Sequence, residues 1–64
     1  MPLIQITMGK ATQETKRALI EKLTAEAVAI TQIPASEFTT TILELDYDNL
    51  GRAGKTITDI KAAQ

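Results

Sequence analysis

Sixty-four residues, 44% hydrophobic and 23% charged, describe one small globular domain of near-average composition, residues 1–64. Seven Lys plus Arg against eight Asp plus Glu leave a net charge of −1, too little positive charge for a nucleic-acid partner held through its phosphates. The chain has no Cys and no His, which excludes disulfide scaffolds, zinc fingers, thiol nucleophiles and histidine general bases.

Met1 to Met8 lack a basic leader and a long apolar run, so the expectation is a cytoplasmic chain without a membrane partner. A chain of this size buries only about 60% of its unfolded surface. Small domains usually add disulfides, a metal or oligomerisation. Without thiols, and with Phe38 and Tyr47 as the only aromatics, a homo-oligomer whose subunits complete one another's core is expected.

Leu3-Ile4-Gln5-Ile6-Thr7-Met8 is a β-branched apolar run between Pro2 and Gly9, and it predicts a strand. Gly9-Lys10-Ala11 is a turn, and Thr12 is the expected N-cap, with Glu14 in the first turn where the helix dipole favours negative charge. From Gln13 to about Gln32 there is no Gly or Pro. Leu19, Leu23, Ala27 and Ile30, widened by Ile20 and Val28, recur with helical spacing and predict an apolar core face. Arg17 with Glu21 and Lys22 with Glu26 sit at i, i+4 on the other side, and Pro34 stops the helix.

Phe38 to Leu45 predicts a second strand, Asp46 to Asn49 a turn, and the tail from Leu50 a hairpin or a final helical turn. Strand, helix, strand is a βαβ unit, so the fold class is α/β with two parallel strands and a right-handed crossover. Two strands cannot cover a 20-residue helix without leaving a free edge. Completion of the sheet by oligomerisation is therefore expected.

The candidate for chemistry is Pro2. Methionine aminopeptidases remove Met1 when the next residue is small, and the mature chain would then begin with a secondary amine. An α-amino group has a reference pKa of about 7.7–8.0. Apolar surroundings and nearby cations disfavour its protonated form and bring it closer to neutrality, where a general base works best.

Pro2-Leu3-Ile4-Gln5-Ile6, the Gly9-Lys10 turn, Lys16-Arg17-Ala18-Leu19-Ile20, Pro34, Glu44-Leu45, Asn49-Leu50-Gly51 and Gly54-Lys55 together resemble the 4-oxalocrotonate tautomerase family across essentially the whole chain. The resemblance implies a homohexamer built as a trimer of βαβ dimers, an amino-terminal proline base, and no metal or organic cofactor. It implies an isomerase partnered with a small enol or α-keto acid such as 2-hydroxymuconate or phenylenolpyruvate. Pro2 matches the family's base. Lys10 falls where the family commonly has a carboxylate-binding arginine, if one residue is deleted from the preceding turn. Lysine keeps the charge but not the planar two-point grip.

Thr39 falls where well-studied members have a second arginine, and Leu50 where an aromatic residue walls the pocket. Arg52, two residues beyond Leu50, is the candidate to supply the lost charge, with surface pairing to Asp46, Asp48 or Asp59 as its competing role. Lys10 as a solvated turn residue, Glu44 as a structural partner and Tyr47 as interface packing are the corresponding bland readings. Two further functions remain open: hydration or dehalogenation of a small unsaturated acid with protonated proline as the acid, and a non-catalytic oligomeric module of the same fold.

Overall fold

The computed structural model describes residues 1–64. Strand β1 spans Leu3–Met8, helix α1 Gln13–Thr31 and strand β2 Thr39–Glu44. After a 3₁₀ turn at Tyr47–Asn49 come two-residue strands β3 (Gly51–Arg52) and β4 (Lys55–Thr56), then helix α2 (Ile57–Ala62). The tail, read from sequence as a hairpin or a helical turn, is both in succession.

β1 and β2 pair in parallel from Leu3↔Thr39 to Met8↔Glu44, the expected βαβ arrangement. β2 is a residue shorter at each end than the apolar run predicted. Phe38 N–H turns back to the Ala35 carbonyl, and Leu45 N–H donates to Met8 O at 2.8 Å beyond the last strand residue.

Helix α1 begins where Thr12 caps it, its Oγ1 accepting from Thr15 N–H at 3.1 Å. It ends at Thr31 because Pro34 bars helical dihedrals at Ile33. Gln32 takes a left-handed φ of 63° and returns its N–H to Val28 O at 2.8 Å, satisfying a carbonyl the helix would otherwise orphan.

Period-two alternation decides what the sheet faces. Ile4, Ile6, Met8, Thr40, Ile42 and Glu44 are half-buried on one side; Leu3, Gln5, Thr7, Thr39, Thr41 and Leu43 are exposed on the other. α1 covers the first side and binds it partly through polar groups. Thr24 and Thr40 hydroxyls meet at 2.9 Å, and Lys16 reaches Glu44 at 2.8 Å.

Within one copy, the predicted core stripe on α1 is covered only in part. Leu19, Ala27 and Val28 are half-buried, whereas Leu23 and Ile20 lie at the surface and Ile30 is 78% exposed. The reason is that a two-stranded sheet is too narrow to cover that width of helix. The i, i+4 pairs Arg17–Glu21 and Lys22–Glu26 do not close into ion pairs.

No residue in the chain is fully buried, so one copy holds no sealed core. Its radius of gyration is 15.1 Å, against about 11 Å for a compact chain of this length. The excess comes from an arm, residues 50–64, that projects from the βαβ body. Within it, α2 packs on β4 and on the 3₁₀ turn at Tyr47–Asn49. No helix is long and apolar enough to cross a membrane.

Candidate active site

The sequence candidates fall into two groups at opposite ends of the sheet. Pro2 heads β1, is half-buried, and accepts Thr39 N–H on its carbonyl at 3.1 Å. Thr39 therefore sits beside Pro2, on the uncovered face of the sheet with Leu3. Lys10 lies past the other end of β1. Five steps of about 3.3 Å put some 16 Å between Leu3 and Met8 alone. Pro2 and Lys10 of one copy cannot meet on one small substrate.

Leu50 and Arg52 leave from the Lys10 end. The 3₁₀ turn before them is seated on the β1–α1 turn, because the Tyr47 ring lies against Gly9 so closely that a Cβ there would stand 2.6 Å from Tyr47 Cε1. Leu50 is half-buried and accepts Ile57 N–H on its carbonyl at 2.7 Å. Pro2 lines none of the three surface grooves; one is walled by Lys10, Leu45, Asp46 and Tyr47.

Three contacts fix the turn that carries Lys10. Besides Tyr47 on Gly9, Lys10 Nζ pairs with Asp46 at 3.1 Å, and Ala11 N–H donates to Glu44 Oε2 at 2.9 Å. Glu44 also accepts from Lys16 Nζ at 2.8 Å. The Lys16 hydrogen bond first, and the Ala11 amide second, hold the Glu44 carboxyl below its ordinary pKa despite an opposing effect of desolvation. Glu44 is thus a structural partner, as its sequence position suggested. The Lys10–Asp46 pair is open to water, with side chains 71% and 63% exposed, so it restrains Lys10 weakly.

Arg52 takes none of the acidic partners weighed for it. Asp46 holds Lys10, Asp48 accepts from the Thr58 hydroxyl, and the Asp59 backbone is capped by Thr56. Arg52 instead stands directly opposite Lys55 across the β3–β4 pair. Lys55 is not among the candidate site residues read from the sequence, although Ala53-Gly54, two residues ending in glycine, are a hairpin signal that points to its register opposite Arg52. No group of three or more ligating side chains is gathered for a metal ion.

Comparison with known proteins agrees with this architecture. Residues 2–60 match the family described as "Tautomerase enzyme". Among solved structures, TomN, a 4-oxalocrotonate tautomerase homologue of the tomaymycin biosynthetic pathway, superposes with TM-score 0.92 over 95% of each chain; at 24% identity it speaks for the fold alone. YwhB, a homologue of 4-oxalocrotonate tautomerase, is 30% identical with TM-score 0.86 over 91% of this chain and 97% of that one.

A heterohexameric 4-oxalocrotonate tautomerase from Chloroflexus aurantiacus J-10-fl is 28% identical, with TM-score 0.89 over 94% of this chain and 98% of that one. No curated protein sequence matches the chain. The parallel β1–β2 pair under one long helix, the trailing hairpin and a family match running from Pro2 to Ile60 all lead to one assignment: the chain belongs to the tautomerase family of enzymes.

Proposed function

We propose that the protein is a cofactor-independent keto–enol tautomerase, acting on a small enol or α-keto acid with the Pro2 nitrogen as its base. The observation that carries this reading is Pro2 itself. It is the first residue of the family match and stands half-buried at the head of β1, where removal of Met1 would expose a secondary amine. Neutral Pro2 takes the enol proton, and the resulting ammonium returns it to a carbon further along the conjugated system.

The base needs a cation to hold the substrate carboxylate and to meet the charge that develops on the enolate oxygen. Thr39, the residue beside Pro2, offers only a hydroxyl. The cations Lys10 and Arg52, with Leu50 as an apolar wall, stand at the other end of the body. A second copy running in the opposite direction brings its Lys10 and Arg52 end to this copy's Pro2. The absence of a sealed core in one copy and the heterohexameric relative support such an assembly, and the sequence resemblance implies a hexamer.

The test follows 2-hydroxymuconate ketonisation by ultraviolet absorbance, using protein whose mass shows Met1 removed, beside Pro2→Ala. Loss of a positioned base should lower the rate about 10²–10⁴-fold. An equal rate in Pro2→Ala would overturn the assignment of the base. No rate above buffer from correctly processed, assembled protein would favour a non-catalytic module, a reading that Thr39 and Leu50, in place of the family's arginine and aromatic residue, also support.

A further inference from the structure

We infer that Arg52 and Lys55 form a two-pronged carboxylate-binding fork at the tip of the β3–β4 hairpin, and that Lys55 is a substrate-binding residue of the site proposed above. Directly opposed residues of an antiparallel pair project to the same face with Cβ atoms about 4.5–5.5 Å apart, and like charges in that relation repel. Arg52 and Lys55 are so paired, both are exposed, and neither has an acidic partner. The two ion pairs in the chain use other cations.

The turn that sets Arg52 opposite Lys55 is also strained. Ala53 has φ 55° and Gly54 φ 79°, the double left-handed conformation of the tightest hairpin, and alanine is disfavoured there. Gly51 admits the close approach of the strands, since a Cβ on it would stand 3.3 Å from Lys55 O. The hairpin thus holds uncompensated like charge on an unfavourable turn. An anion placed between the prongs relieves that repulsion.

A guanidinium grips a carboxylate at two points, and the ammonium beside it adds a second charge. The fork therefore suits the carboxylate of a small unsaturated acid. It supplies the positive charge that Thr39 does not, from a neighbouring copy's arm. The proposal rests on the enol-acid reading above for its place in catalysis, but not for the binding of the carboxylate.

The experiment measures fumarate affinity by calorimetry, and kcat and KM for 2-hydroxymuconate, in the assembled, Met1-processed protein. The variants are Arg52→Gln, Lys55→Gln, Lys55→Arg and, as a control on the helix, Lys22→Gln. Each Gln substitution in the fork should weaken fumarate binding and raise KM about three- to fivefold, as for cations open to solvent, and kcat should fall further in Arg52→Gln than in Lys55→Gln because Arg52 also meets the developing enolate charge. Lys55→Arg should restore fumarate binding and KM.

Because one of two repelling charges is gone, Lys55→Gln should melt at or above the parent temperature without ligand. Weaker binding cannot then be ascribed to misfolding. Fumarate binding that depends on the fork, in protein with no ketonisation, keeps the fork and favours the non-catalytic module over the tautomerase reading. Ketonisation with fumarate affinity and KM untouched in Lys55→Gln and Arg52→Gln discards the fork and keeps the reading.

Discussion

Replacing Gly9 with alanine tests the contact that joins the two halves of the Lys10 end. Gly9 has no positive φ, so alanine meets no backbone strain there, and by stiffening the unfolded chain it should stabilise by about 0.4–1 kcal/mol. Against that stands Tyr47. The new Cβ would lie 2.6 Å from Cε1, 3.4 Å from Cδ1 and 3.5 Å from Cζ. The ring must swing outward and lose the cover it has on Gly9, together with its position 5.2 Å below the Lys61 ammonium.

Tyr47 is 41% exposed, so roughly half a tyrosine's area is at stake. About 100 Å² at 25 cal/mol per Å² sets a ceiling near 2.5 kcal/mol, in line with overpacking penalties of about 1–3 kcal/mol. The clash therefore outweighs the entropic gain, and a net loss of about 1–2 kcal/mol is expected. In a Tyr47→Ala background the same substitution should be neutral or stabilising. Urea unfolding of the four proteins at equal chain concentration measures the coupling, concentration being fixed because assembly shifts apparent stability. If Gly9→Ala behaves identically with and without the Tyr47 ring, the packing argument is wrong.

Two other outcomes are expected. Glu44 is held below its ordinary pKa by Lys16 and Ala11, so its stabilising effect is present above the unfolded value, about 4.3, and is lost as the pH falls through the folded value. Thermal unfolding of Glu44→Gln should accordingly show a lower midpoint than the parent at pH 7 and a shallower decline in acid; parallel pH curves would count against the assignment. Ala53→Gly relieves the left-handed alanine and should stabilise by about 0.5–1 kcal/mol without altering KM. A destabilised Ala53→Gly would show that the turn is not strained.

The βαβ body was legible because each element carries its own local code. Thr12 and Pro34 delimit the helix by capping and by barred dihedrals, and the β-branched runs mark the strands. The exposure of Ile30 and Leu23 was not legible from periodicity, which identifies an apolar face but not what covers it. Pro2 could be singled out because an amino-terminal proline has a chemistry of its own. Lys55 could not be singled out by residue type. Its interest lies in standing opposite Arg52, and that depends on the register of a two-residue turn. The separation of Pro2 from Lys10 within one copy follows from strand length alone.

The arm beyond residue 50 has a consequence for how such a chain can change over time. Its helix and hairpin rest on one another and on a short turn, not on the strand that Pro2 precedes. Substitutions in the arm can therefore alter charge and reach without disturbing the βαβ body of the same copy, and that body can be remodelled without reshaping the hairpin. The βαβ body and the hairpin arm are thus two modules on one short polypeptide, free to diversify separately and to be recombined by exchanging a fifteen-residue tail.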